Sequence, residues 1–267
     1  MPEGHTIHRA ARLQSQRFVG PCLRVWSPQG RFADGAALLD GRLIERIDAH
    51  GKHLFYHWDH GLVLHVHLGL FGRFRTHLGD APDPSAGTRL AVVAPTATLH
   101  LSGPTACEIL DEAEVAGIVA RLGPDPLRGD PVAPGRVSTA LARRSVPVGA
   151  ALLDQAVMAG IGNVYRSELL FLIGIDPHRP ARRLSEAEAS RVWNEAVRLL
   201  RAGERSGRIV TVDPCEVGVA RARDIPTSER LYVYGREGLP CRRCGTTIRS
   251  EEIGARRAWW CPTCQPQ

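Results

Sequence analysis

The sequence predicts an α+β protein: a leading helix, an N-terminal antiparallel β-sandwich, a helical C-terminal part and a small hairpin tied by cysteines. Three observations carry that expectation. Over residues 22–110, short apolar or alternating runs end at Gly, Asp or Pro, the pattern of strands. Beyond residue 135 the apolar period lengthens to that of helices. Near the end of the chain, four cysteines stand in two close pairs.

The elements follow in order. Ile7, Ala10, Ala11 and Leu13 give residues 4–16 a helical pattern. LIERIDA (43–49), KHLFYHW (52–58), LVLHVHL (62–68) and RLAVVA (89–94) read as strands. So many short strands in succession suggest an antiparallel sandwich or barrel. DPLRGDPVAPG (125–135) is rich in Pro and Gly and reads as a linker. Then AALLDQAVM (150–158) and NVYRSELLFLIG (163–174) flank a tight turn, AGIG at 159–162, which places Asn163 at a helix N-cap. Ser185 and Glu188 form a capping box ahead of a helix that Gly203 would stop. Residues 206–231 have no period and read as a long loop, a kind that often carries function. The expected domains are 1–120, a linker at 121–135, then 136–234 and 235–267.

Composition narrows the function classes. The chain is 43% hydrophobic and 23% charged, an ordinary globular balance. No run of apolar residues is long enough to span a membrane, and the start MPEGHTIHRAAR lacks the apolar core of a secretory signal. A cytoplasmic protein with reduced thiols is expected. The formal charge is +6, and it is unevenly placed. Residues 1–178 carry 17 basic and 17 acidic side chains, whereas residues 179–267 carry 17 basic and 11 acidic. A basic C-terminal third on a neutral body points to a polyanion, nucleic acid first, against the plainer reading of a solvated surface.

Lys52 is the only lysine; the other 33 basic residues are arginine. Arginine keeps its proton, whereas a lysine near other cations or out of water can give its proton up. A chain that uses lysine once has a use for an amine there, unless one lysine merely survived a bias towards arginine. Gly51-Lys52-His53 lies between apolar runs, where a strand would aim the amine into a cleft. A second amine lies at the start. Removal of Met1 would leave Pro2 with a free secondary amine, whose pKa of about 8 the positive end of a following helix would lower. Such an amine attacks an aldehyde-level carbon to give an iminium, and Glu3 adjoins it as an acid or base. Pro is also simply common in the first turn of a helix.

Cys241, Cys244, Cys261 and Cys264 follow C-x2-C-x16-C-x2-C. This spacing suits four thiolates on one tetrahedral zinc, leaving no open position and hence a structural role. Two disulfides are the rival, disfavoured in a reducing compartment. Cys22, Cys107 and Cys215 lack such spacing. Arg256 and Arg257 stand at the far end of the hairpin that the pairs enclose, beside Trp259 and Trp260. Arginines there suit phosphate, and the tryptophans either stack on bases or pack the hairpin. His65-x-His67 would share a strand face, but no carboxylate at matching spacing completes a metal site, so structural histidines are expected. Gly160 and Gly162 precede a helix whose first N–H groups would favour a phosphate, unless the turn only packs two helices.

Taken together, these features resemble the formamidopyrimidine-DNA glycosylase and endonuclease VIII family. The resemblance runs in order along nearly the whole chain: PEGHTIHR, GKHLF, HVHLGLFGRF, RLGPDPL, AGIGNVYRSELLF and VYGREGLPCRRCGTTI…RRAWWCPTCQ. The start is closer to the endonuclease VIII branch. The resemblance implies a helix-two-turns-helix domain over 136–234, a zinc finger over 235–267, and a monomer acting on damaged DNA. It implies a glycosylase that excises oxidised bases, pyrimidines first, and then cuts the strand by β,δ-elimination. Pro2 would be the nucleophile, with Glu3 and Lys52 moving protons and Arg256 gripping phosphate beside the lesion. Arg121, Gly162 and Asn163 would hold DNA, and Leu70 and Phe71 would fill the gap left by the extruded base. Gly69 departs from the pattern, since endonuclease VIII-like members can carry a larger polar residue there. Two rivals stay open: the same chemistry on oxidised purines, and a zinc-ribbon module that binds nucleic acid without catalysis.

Overall fold

The computed structural model describes residues 2–267; Met1, on whose removal the nucleophile reading depends, lies outside the described residues. The chain divides into two compact units, Met1–Arg121 and Leu122–Gln267. Among the described residues, no helix is long and apolar enough to cross a membrane.

The first unit opens with α1 (Gly4–Phe18), then β1 (Arg24–Trp26), α2 (Ala33–Leu39), β2 (Ile44–His50), β3 (His53–Trp58), β4 (Val63–His67), β5 (Arg73–Leu78), β6 (Thr88–Ala94), β7 (Ala97–Ser102), β8 (Ala106–Leu110) and α3 (Glu112–Ala120). All strand pairs in it are antiparallel, in two sheets of order β1-β6-β7-β5 and β2-β3-β4-β8. Alternation decides what each strand buries. Val25, Leu90, Val92, Leu99 and Leu101 of one sheet share a core with Leu54, Tyr56, Leu64 and Val66 of the other, which makes the predicted sandwich. β3 is buried on both faces, because Phe55 on its outer side packs with Val63 and with Val115 of α3. α1 lays Ile7, Ala11 and Phe18 into the sandwich core. Gln14 on the same stripe is buried, and it accepts the Tyr56 hydroxyl at 2.5 Å, which removes the cost of its burial. The sequence reading did not find α2, which lies inside the stretch read as strands.

The second unit holds α4 (Ala133–Ala142), α5 (Val148–Ala151), α6 (Asn163–Ile173), α7 (Glu186–Ser206) and the hairpin β9 (Arg249–Ile253) with β10 (Arg256–Trp260). The stretch expected as a linker is ordered otherwise. The unit begins at Leu122, Gly123–Pro126 are buried, and α4 starts already at Ala133. Gly123 donates to the Gln155 carbonyl at 2.8 Å, and a Cβ on it would fall 2.6 Å from the Ala156 carbonyl oxygen. Backbone packs here too closely for any side chain. α4, α6 and α7 share a core of Val137, Leu141, Tyr165, Leu169, Val192 and Leu200.

The Ser185–Glu188 capping box opens α7 as expected, but Gly203 does not stop it. Gly203 is buried on the helix's apolar stripe, and Gly207 ends the helix at φ 72°. Tertiary packing of that stripe outweighs the roughly 1 kcal/mol that an internal glycine costs. The segment read as a loop, 206–231, contains three short 3-10 turns, Pro214–Val217, Ala222–Asp224 and Thr227–Glu229.

Candidate functional site

Glu3 is the N-cap residue of α1, fully buried, with Pro2 half-buried before it. Glu3 does not cap the helix with its side chain; its carbonyl oxygen accepts the N–H of Thr6 at 2.9 Å. Lys52 is not on a strand, as the sequence had suggested. It occupies the tip of the β2–β3 hairpin, where His50 pairs with His53 and Gly51 takes φ 57°. A two-residue hairpin needs such a positive φ, and glycine adopts it without strain.

The end of the sheet at which Pro2 and Glu3 emerge follows from the packing of α1 on β2 and β3. The chain just past the end of the helix meets the first residue of β2, since Val19 bridges Ile44 and Gly20 donates to the Ile44 carbonyl at 3.0 Å. Midway, Gln14 bonds Tyr56, whose ladder partner is Ile47. From Gln14 back to Glu3 is about 16 Å of helix at 1.5 Å per residue. From Ile47 on to Lys52 is about 16 Å of strand at 3.3 Å per residue. Glu3 and Lys52 therefore come out at the same end of the sheet, although 49 residues separate them in sequence.

Beside Lys52 the outer face of the second sheet carries a file of histidines. His53 Nδ1 and His65 Nε2 are 2.9 Å apart, and His65 Nδ1 meets Glu108 Oε1 at 2.9 Å. Both ring nitrogens of His65 are thus engaged, which is the structural role expected. The carboxylate that sequence spacing failed to show comes from β8, where Glu108 stands opposite His65. Burial holds His53 at a pKa of about 3, with His65, His67, His50 and Arg121 adding to the effect. Burial also lowers His67, and the Lys52 and His65 charges lower it further. Arg121 itself is the C-cap of α3 and exposed. Cys107 is a half-buried thiol that desolvation pushes up to about 12.

Leu70 and Phe71 occupy the turn from β4 to β5, 46% and 84% exposed, and Phe71 is the most exposed large apolar side chain among those described. Gly69 precedes them at φ 65°, and a Cβ there would lie 1.9 Å from the Thr105 hydroxyl. Gly72 closes the turn, donating to the Leu68 carbonyl at 2.9 Å.

In the second unit, Gln155 braces the glycine turn: its Oε1 accepts the Gly160 N–H at 3.0 Å, and its Nε2 donates to the Ile161 carbonyl at 2.9 Å. Gly162, not Asn163, is the N-cap of α6. Asn163 is the first helical residue, and its side chain turns away to donate to the Arg257 carbonyl oxygen at 3.0 Å. That bond fixes the N-terminus of α6 to the β9–β10 hairpin. Arg256 opens β10 beside the Gly254 turn and is exposed, while Arg257 pairs with Glu237 at 3.2 Å. Both tryptophans pack the hairpin: Trp259 lies 4.5 Å from the Tyr234 ring and Trp260 4.6 Å from His178.

The Sγ atoms of Cys241, Cys244, Cys261 and Cys264 all lie within 4.8 Å of one another. Cys241 and Cys264 are 3.9 Å apart, Cys244 and Cys261 3.4 Å. Tetrahedral zinc with Zn–S bonds of about 2.3 Å needs sulfur atoms about 3.8 Å apart, whereas a disulfide needs about 2.05 Å. The four sulfurs fit zinc, and a fifth ligand has no place.

Sequence reasoning missed two buried charged residues on α6, Arg166 and Glu168, both fully buried. Glu168 accepts the N–H groups of Tyr232, Val233 and Tyr234, each at 2.8 Å, and the Thr211 hydroxyl. The burial of Arg166 and Glu168 shows only in the structure, where every residue of the eleven-residue α6 but Leu172 is buried.

Comparison with known proteins decides the family. Family profiles described as the formamidopyrimidine-DNA glycosylase N-terminal domain, its H2TH domain and the zinc finger found in FPG and IleRS match residues 1–106, 122–213 and 238–267. Endonuclease 8 1 of Mycobacterium tuberculosis is 48% identical, over 99% of this chain and all of that one. The chain belongs to the formamidopyrimidine-DNA glycosylase and endonuclease VIII family. Formamidopyrimidine-DNA glycosylase of Thermus thermophilus is 33% identical over 99% of this chain and 98% of its own length. Lactococcus lactis Fpg, solved with DNA containing an abasic site, shares the fold at a TM-score of 0.83 and 23% identity, over 99% of this chain and all of its own. Members of this family are bifunctional glycosylases and AP lyases of base excision repair, and the chain is such an enzyme with one structural zinc. The glycosylase is thus built of mixed helix and sheet, with its antiparallel sheets first and its helical and zinc-finger parts second.

Proposed function

We propose that the enzyme excises oxidised pyrimidines from damaged DNA with the Pro2 amine as nucleophile, acting as a cytoplasmic monomer. The observation that carries this reading is the placing of Pro2 and Glu3 at the positive end of α1, at the same end of the sheet as the only lysine. The exposed free thiols Cys22 and Cys215 suit a reducing compartment.

In this reading the damaged nucleotide is turned out of the stack. Pro2 nitrogen forms a bond to C1′, and the bond from C1′ to the base breaks as the base leaves with a proton. Glu3 delivers a proton to the sugar ring oxygen, the ring opens, and the adduct becomes an iminium. The cation acidifies the C2′ proton; its loss expels the 3′ phosphate by β-elimination. A second elimination expels the 5′ phosphate. Lys52, neighbour to the neutral His67, relays protons and attracts phosphate. Arg121, Gly162, Asn163 and Arg256 hold the backbone, and Leu70 and Phe71 fill the vacated stack. Zinc on the four cysteines holds the hairpin in shape and takes no part in the bond changes. The domains used are the sandwich of residues 1–120, the helix-two-turns-helix region of 136–234 and the finger of 235–267.

Borohydride trapping tests the proposal. On duplexes with an abasic site the wild-type protein should give a covalent adduct that Pro2→Gly abolishes; an undiminished adduct in the variant would refute the nucleophile. Excision of thymine glycol and dihydrouracil should exceed that of 8-oxoguanine, and the reverse order would refute the lesion class.

A further inference from the structure

We infer that Arg166 is a positioning residue: it sets the Asn163 carboxamide so that one amide N–H is left for a DNA phosphate. The inference rests on the reading of Asn163 as a phosphate ligand.

Arg166 lies one turn after Asn163 on α6 and is fully buried. Its guanidinium donates to carbonyl oxygens of separate segments: Gly149 at 3.2 Å, Ile253 at 3.3 Å and Arg257 at 2.6 Å. It also donates to Asn163 Oδ1. One buried cation thereby joins α5, α6 and the turn of the β9–β10 hairpin.

The chemistry of these partners dictates which way the amide faces. A guanidinium has donors and no acceptor, so only the oxygen of Asn163 is tolerated against it. The Arg257 carbonyl is an acceptor only, so it takes the nitrogen of Asn163, at 3.0 Å. The two constraints agree, and a flipped amide would break both. Of the two Nδ2 hydrogens one is spent on Arg257. The second is the donor left for phosphate, at a helix start whose backbone N–H groups also favour an anion. Arg166 further holds the carbonyl of Arg257 in line, and with it the strand that starts at Arg256. Lysine could not replace it, since an ammonium cannot span several fixed carbonyls in the plane of a fork.

The experiment is the affinity, at one fixed salt concentration, for a duplex containing a tetrahydrofuran abasic analogue. It compares wild type, Asn163→Ala, Arg166→Met, Arg166→Lys and the double variant Asn163→Ala with Arg166→Met. Zinc content and unfolding temperature are measured on the same samples. A hydrogen bond from a neutral amide to a charged phosphate shows in affinity and not in the number of counterions released, so Asn163→Ala should weaken binding by about tenfold or more. Arg166→Met should weaken it by at least as much. Adding Asn163→Ala to Arg166→Met should weaken binding no further. Arg166→Lys should also lose the contact, because charge without the fork does not orient the amide.

A full Asn163→Ala effect in the Arg166→Met background, or wild-type affinity in Arg166→Lys, would overturn the inference. Wild-type affinity in Asn163→Ala itself would instead overturn the underlying reading of Asn163. Should Arg166→Met fail to fold, the wild-type protein still decides. On titration with the same DNA, one proton of the Asn163 side-chain amide should shift in the NMR spectrum while the other stays. If neither moves, or both move alike, the inference fails.

Discussion

The hydroxyl of Thr105 lies 1.9 Å from the point where a side chain on Gly69 would place its Cβ. The small residue at position 69 is therefore matched to its neighbour and to its own backbone, which takes φ 65°. Gly69→Gln should lower stability by about 1–3 kcal/mol, through overpacking against Thr105 and through strain at positive φ. Thr105→Gly in the same chain should recover only part of the loss, because the backbone term remains. Denaturant midpoints of the single and double variants measure both terms; a Gly69→Gln protein as stable as wild type would show that the turn rearranges freely.

Lys52 makes a prediction about chemistry rather than stability. It stands at the tip of the β2–β3 hairpin beside a histidine that burial and charge keep neutral. Lys52→Arg retains the positive charge and loses the exchangeable proton. Affinity for abasic-site DNA should stay within about threefold, a loss of under 1 kcal/mol, while the single-turnover rate drops by about 100-fold, as for removal of a general acid or base. Wild-type turnover in Lys52→Arg would remove any proton-transfer role and leave Lys52 as a charge alone.

Much of this was legible in the sequence, for reasons that differ by region. Strands of the sandwich announce themselves because each face has a fixed environment, so LVLHVHL alternates between core and histidine file. The four cysteines were legible because metal geometry restricts their spacing. What escaped were relations across the fold. Glu108 faces His65 only through strand pairing, 43 residues away. Arg166 and Glu168 carry no mark in the sequence of being buried, yet α6 is enclosed on nearly all sides. Asn163 read as a cap because Asn favours that position, but a tertiary acceptor, the Arg257 carbonyl, competed for its amide and won.

The buried histidines fix how stability responds to acid. Burial holds His53 at about 3 and His5 at about 4, against an ordinary value of 6.5. In the unfolded chain both bind a proton below about 6.5, while the folded chain keeps them neutral until much lower pH. Their contribution is thus complete above 6.5 and is lost as pH falls from 6.5 towards 4. The slope is at most about 1.4 kcal/mol per pH unit for each histidine. Denaturation at pH 7, 6 and 5 should show the fall for wild type and a shallower one for His53→Asn. The window lies above the range of Glu112 and Glu188, whose carboxyls are held low by His57 and Arg179 respectively. An equal slope in His53→Asn would place the acid sensitivity elsewhere.

Glu168 gives the sharpest test of how the second unit holds its zinc hairpin. Its Oε1 accepts the N–H groups of Val233 and Tyr234, and its Oε2 accepts that of Tyr232 and the Thr211 hydroxyl. Tyr232 and Val233 share a core with Cys241, Ile248 and Cys261, so the carboxylate anchors the segment leading into the metal site. Glu168→Gln keeps the shape but turns an NH2 group towards donors that need an acceptor. Buried donors left without a partner cost about 1–3 kcal/mol each, so the variant should lose on the order of 3 kcal/mol. Thr211→Val removes one donor and leaves the other bonds intact, and should lose only about 1 kcal/mol. Zinc release to a chelator should quicken in the same order, Glu168→Gln ahead of Thr211→Val ahead of wild type. A Glu168→Gln protein with wild-type unfolding and wild-type zinc release would mean that the segment 232–234 is held by its apolar contacts alone.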